Sequence, residues 1–101
     1  MSERTFQSKL IKEIKTELPG CMVIEPDPST CKGIPDVLIL YNDKWASLEC
    51  KISEKAYKQS LKKQPSQGYF VDKMNGMSFS RFIFPENKEE VMNELYKTFR
   101  S

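Results

Sequence analysis

The chain has 101 residues, 16 Lys and Arg against 14 Asp and Glu, and no His. A net charge of +2 argues against a protein that coats nucleic acid through a bulk positive field, because such binders carry a strong excess. Without His there is no Ser-His-Asp triad, no Cys-His pair and no His general acid. Any catalysis must then come from carboxylates, Lys, Tyr or a metal held by oxygen.

The first predicted element is a helix from Glu3 to Leu18. Phe6, Leu10, Ile11, Ile14 and Leu18 recur at helical spacing, Ser2 can cap the start, and Pro19-Gly20 stops it. Cys21 to Glu25 reads as a short strand, and the Pro- and Gly-containing segment 26–33 as a loop. Pro35 to Tyr41 is an almost continuous apolar run, so it reads as a central strand covered on both faces. Asn42-Asp43 marks a tight turn, and Lys44 to Lys51 is the returning strand. Ile52 to Gln64 is basic and polar with no clear period. Ser66 to Asn75 reads as a second helix, with Phe70, Val71 and Met74 inward and Gly76 at its end. Phe79 to Phe84 is a strand. Asn87 and Glu90 form a capping box for a last helix carrying Val91, Leu95 and Phe99. The order is α-β-β-β-α-β-α, and the expected fold is α/β, one mixed sheet with helices on its faces.

The length fits one domain over 1–101, large enough for a core without staples. The longest apolar run, Val37 to Leu40, is far short of a membrane span, and Met1-Ser2-Glu3-Arg4 has no stretch of signal-peptide type. Cys21, Cys31 and Cys50 are odd in number and widely spaced. They read as reduced thiols, which gives the expectation of a cytoplasmic protein without a structural zinc.

Chemistry concentrates at four residues. The turn at Asn42-Asp43 brings Asp36, at the start of one strand, beside Glu49, near the end of the next. Side chains alternate along a strand, so Glu49 and Lys51 share a face, and the three converge at one end of the hairpin. Adjacent carboxylates repel, and a hard divalent cation such as Mg²⁺ relieves that repulsion. Against this, Glu and Lys two apart on a strand are often a solvated face, and Asp36 after Gly33-Ile34-Pro35 can cap a turn. At about 100° per residue Glu3 lies on the same side of the first helix as Leu10 and Ile14. It is either a carboxylate facing the sheet or a first-turn acid that complements the helix dipole.

Gly33-Ile34-Pro35-Asp36, then twelve residues, then Glu49-Cys50-Lys51 resembles the PD-(D/E)XK nuclease motif. The chain is similar over nearly its whole length to small phage-encoded nucleases of the VRR-NUC and Holliday-junction-resolvase kind. Glu3 to Leu10 resembles the first-helix motif that supplies a further acid, and Gln64-Pro65-Ser66-Gln67 resembles the segment that carries a Gln. The resemblance implies a restriction-endonuclease-like fold and a Mg²⁺-dependent endonuclease, with Mn²⁺ as a substitute metal. It implies Asp36 and Glu49 as metal ligands, Glu3 as an accessory acid and ligand, Lys51 as the catalytic lysine, and Gln67 as a positioning residue for which Gln64 competes. Branched or junction DNA as substrate, a homodimer, and the host cytoplasm as location follow by analogy. The segment from Ile52 to Lys63 is longer than the expected link between these motifs.

That segment also concentrates charge. From Lys51 to Lys63 the net charge is +4, leaving the rest of the chain at −2. Lys55, Lys58, Lys62 and Lys63 are therefore candidates for contacts to DNA phosphates, and Tyr57 among them for stacking on a splayed base; a solvated loop is the plain alternative. Lys32 and Arg81 are weaker candidates. The aromatic residues at Phe70, Phe79, Phe82, Phe84 and Phe99 fall at core positions, as do Met74 and Met77. The rival to an enzyme is a catalytically silent module of the same fold that binds DNA or a host protein. A structural α/β domain whose acids are coincidental is the third reading.

Overall fold

A computed structural model describes residues Met1 to Ser101. In chain order the elements are α1 (Glu3–Glu17), β1 (Met22–Ile24), β2 (Val37–Tyr41), β3 (Lys44–Cys50), α2 (Glu54–Lys63), α3 (Pro65–Met77), β4 (Phe79–Ile83) and α4 (Lys88–Arg100). The fold is α/β, with one four-stranded mixed sheet in the order β1-β2-β3-β4. The first two pairings are antiparallel, and β3 pairs with β4 in parallel through the α2–α3 crossover.

The strand alternation sorts residues cleanly. Val37, Ile39, Ala46, Leu48, Cys50 and Ile83 turn to one face, where Phe6, Leu10 and Ile14 of α1 and Leu18 at its C-cap meet Val91, Met92, Leu95 and Phe99 of α4. The other face carries Trp45, Ser47 and Glu49, with α3 packed over β3 and β4. There Ser47 and Ser80 bond to each other at 2.7 Å, which satisfies two hydroxyls beneath the helix. Internal β3 is the strand buried on both faces over Ala46 to Cys50. The second face of β2, Leu38 and Leu40, is only half-buried, because α2 and α3 cover the β3–β4 half of the sheet.

Three turns fit their residues. The Ser2 hydroxyl accepts from the Thr5 N–H at 3.1 Å and caps α1. Asn42 takes φ 56° in the β2–β3 hairpin, and Gly20 takes φ 88° after α1.

The main departure from the sequence expectation is α2. The segment expected to lack a period is a ten-residue helix, capped by the Ser53 hydroxyl on the Ala56 N–H at 3.1 Å. Its inward side consists of Ala56, Tyr57 and Ser60, a small, an aromatic and a polar residue, so the apolar stripe is too faint to read. Ser60 tolerates burial because its hydroxyl donates to the Tyr57 carbonyl at 2.7 Å. Gly76 lies inside α3 rather than past its end, and Met77 is 64% exposed rather than in the core. Phe70 and Phe82 are half-buried. Asn87 forms no capping box with Glu90. Its amide instead accepts from the Phe84 N–H at 2.8 Å and donates to the Phe82 carbonyl at 3.1 Å, tying down the bend before α4. No helix is long and apolar enough to cross a membrane.

Candidate active site

Asp36 immediately precedes β2. Extending the β2–β3 register by one residue sets it opposite Glu49, since Val37 pairs with Leu48. Its Oδ2 accepts the backbone N–H of Cys50 at 3.0 Å, which anchors the carboxylate to the adjacent strand. Glu49 lies in the interior strand and is 2% exposed. Lys51 follows the end of β3, its own N–H bonded to the Ile83 carbonyl at 2.9 Å. Its Nζ stands 3.6 Å from Glu49 Oε2 and donates to Gln67 Oε1 at 2.7 Å. Glu49 Oε1 is buried and has no hydrogen-bond partner.

The burial of Glu49 shapes its chemistry. Loss of solvent is the largest influence, and the neighbouring Asp36 charge adds to it. Together they push the Glu49 pKa up to about 8 against the opposing pull of Lys51. A hydrogen bond to Asp36 that only the protonated form can make acts in the same direction, as does Glu3. Cys50 turns its thiol to the apolar face, where burial and the nearby acids hold it protonated.

Glu3 occupies the first turn of α1, one turn beyond the buried Phe6. It is exposed rather than sandwiched against the sheet, yet it belongs to the same electrostatic group. Partial burial raises its pKa, Lys51 lowers it, and Asp36 raises it. With Asp36 it lines a cleft of about 390 Å³ whose lining is mostly polar. The same cleft is lined by Arg4, Gln7 and Glu25. None of these three stood out in the sequence. The signal for Glu25 is the antiparallel pairing of β1 with β2, Ile24 opposite Leu38, which carries the end of β1 to the start of β2.

Gln67 rather than Gln64 meets Lys51, because it sits in the first turn of α3 while Gln64 supplies the backbone cap before it. That turn is held against the Asp36 loop at Gly33. Gly33 has φ +90°, and a Cβ there would lie 2.8 Å from the backbone and side chain of Ser66. The close approach of loop and helix is what brings Gln67 to Lys51.

The chain thus gathers Asp36, Glu49, Lys51 and Gln67 at one end of the sheet, with Glu3 on the rim. No group of three or more His, Cys, Asp or Glu side chains is drawn together closely enough to form a metal-holding cluster. Lys55, Lys58, Lys62 and Lys63 are all exposed on α2, and Lys58 bonds its own helix neighbour Glu54 at 3.5 Å. Tyr57 is not free to stack on a base. Its ring lies 4.8 Å from that of Phe82 and 5.2 Å from that of Phe84, fastening α2 to β4. Arg81 is likewise occupied, bonded to Asn75 and to Glu94 and laid over the Phe79 ring. Comparison with protein-family models, with curated proteins and with solved structures finds no match for this chain.

Proposed function

We propose that the chain is a metal-dependent DNA endonuclease with a PD-(D/E)XK, restriction-endonuclease-like arrangement, hydrolysing phosphodiester bonds. The observation that carries this is Glu49 Oε1, a carboxylate oxygen sealed inside the protein without a partner and flanked by a second carboxylate. Lys51 stands 3.6 Å from the other oxygen of this carboxylate, but Oε1 itself meets no donor, and a hard cation is a ligand that such an unpartnered buried oxygen accommodates. The donor set fits Mg²⁺, which binds through one or two carboxylates plus water and phosphate oxygens and therefore needs no three-acid cage. Asp36 and Glu49 would hold it, with Glu3 contributing directly or through water, and Mn²⁺ would take the same oxygens. When bound, the ion supplies Lewis-acid stabilisation of a phosphate and acidifies a water molecule.

The protein's own share is positional. Asp36 is fixed by the Cys50 N–H and lines the same cleft as Glu3. Lys51 is pinned by Gln67, so its ammonium is aimed before substrate arrives and can neutralise charge developing on the phosphate or orient the attacking water. The exposed lysines of α2 follow Lys51 directly in the chain. They supply contacts to backbone phosphates that hold DNA without reading its sequence.

Incubation with supercoiled, linear, single-stranded and four-way-junction DNA, with Mg²⁺ and with EDTA, tests this. Mg²⁺-dependent cleavage that is lost in Asp36→Asn supports the enzyme. Tight DNA binding with no cleavage under Mg²⁺ or Mn²⁺ would replace it with the silent binding module. Neither binding nor cleavage would leave a module that binds a host protein, or a structural α/β domain whose acids are coincidental.

A further inference from the structure

We infer that Tyr69 of α3, backed by Lys73, is a stacking platform for an unpaired nucleobase, so that the protein prefers DNA with an unpaired segment beside the cleavage point. This rests on the endonuclease reading and adds to it the class of DNA engaged. Tyr69 is 57% exposed, the most exposed aromatic side chain of the chain. It lies two residues after Gln67 and one after Gly68, within the helix end that Gly33 holds against the site. Successive helix positions turn by about 100°, so Gln67 and Val71 point toward the sheet while Tyr69 and Lys73 share the outward side.

The ring is held before any base arrives. Phe70 meets it edge-on at 5.3 Å with the planes at 82°. Lys73 Nζ stands 5.7 Å from the ring centroid and 3.4 Å from the phenol oxygen. A fixed ring needs less ordering on binding, and its open area can accept a base of any identity. Lys73 places a cation beside it for the adjoining phosphate. Helix α2, which carries the lysines, meets α3 at Gly68, where Leu61 lies 3.6 Å from the position a Cβ would take. Bases inside a duplex are stacked on each other and inaccessible to such a ring, so the platform discriminates unpaired from paired DNA.

The test uses the full chain carrying Asp36→Asn, so that binding is read without cleavage, in Mg²⁺ buffer. Its DNA probes are a fully paired duplex and the same duplex with a short unpaired arm containing 2-aminopurine. Tyr69→Ala should weaken binding to the armed probe about tenfold or more and change the paired duplex less than about twofold. Tyr69→Phe should bind the armed probe as the parent does, and the 2-aminopurine fluorescence should be quenched by the parent and by Tyr69→Phe but not by Tyr69→Ala. Equal effects on both probes, or none on either, would overturn the platform while leaving DNA binding standing. Failure of the parent to bind either probe would overturn the platform and the DNA reading together. Tyr69 is more than half exposed, so its variants should melt as the parent does, and unchanged melting separates these outcomes from misfolding.

Discussion

Lys51 Nζ donates to Gln67 Oε1 at 2.7 Å, joining the end of β3 to the first turn of α3. This bond converts a flexible four-carbon chain into a fixed cation 3.6 Å from Glu49. Removing the amide in Gln67→Ala frees the ammonium without removing its charge. The cleavage rate should fall about 10- to 100-fold with substrate affinity nearly unchanged, as for loss of other orienting partners. Single-turnover rates at saturating enzyme measure this directly, and an unaltered rate would show that Lys51 is aimed by something else.

Asp36 and Glu49 should behave differently from Lys51. Asp36→Asn and Glu49→Gln should each lose Mg²⁺-dependent cleavage by about a thousandfold or more, along with most Mg²⁺ affinity. Lys51→Ala should keep Mg²⁺ binding in calorimetric titration and lose turnover. If Lys51→Ala cleaves at the parent rate, its catalytic role is wrong.

Glu49 also predicts a pH-dependent stability. Its pKa is raised from 4.5 in the unfolded chain to about 8 in the fold, so between those values the folded protein retains a proton that the unfolded chain releases. The stabilisation is complete below about pH 4.5 and is lost as pH rises through about 8. In EDTA the parent should lose on the order of 5 kcal/mol across this window relative to Glu49→Gln, at about 1.4 kcal/mol per pKa unit. Urea melts at a series of pH values read the difference; parallel curves for the two proteins would mean that Glu49 ionises freely in the fold.

Gly33→Ala should destabilise the protein and loosen the site at once. The new Cβ would sit 2.8 Å from Ser66 on a backbone with φ +90°, so both strain and overlap oppose it. A loss of about 2–4 kcal/mol is expected, seen as a fall in Tm of roughly 10 °C or more. Ser66→Gly in the same chain should recover part of it by removing two of the three overlapped atoms.

Neutralising Lys55, Lys58, Lys62 and Lys63 together should weaken binding to all DNA forms alike. The slope of log affinity against log salt should shrink by about 0.9 for each duplex phosphate that these lysines no longer neutralise. An unchanged slope would place the DNA-binding surface elsewhere on the protein.

The elements with a strong period were legible in the sequence. Helix α1, the hairpin and α4 each declare their inward residues at regular spacing, and turn residues at Pro19-Gly20 and Asn42 set their limits. Because the hairpin is antiparallel and local, the opposition of Asp36 and Glu49 follows from the chain alone. Helix α2 did not follow, because its inward side is Ala56, Tyr57 and Ser60, and its amphipathic character comes from where lysines are absent rather than where apolar residues recur.

What the sequence determined by itself was therefore the kinds of residue present, the local geometry of the hairpin, and the exclusion of His chemistry from a chain of near-zero net charge. Only the tertiary structure decided which of these residues meet. The approach of Gly33 to Ser66 brings Gln67 to Lys51 across sixteen residues of chain. The burial of β3 between two helical layers leaves Glu49 without water and shifts its proton affinity. The packing of Tyr57 on Phe82 and Phe84 takes one aromatic ring out of reach and leaves Tyr69 exposed. The meeting of distant segments and the loss of solvent are properties of the packed chain, and no local period in the sequence encodes them.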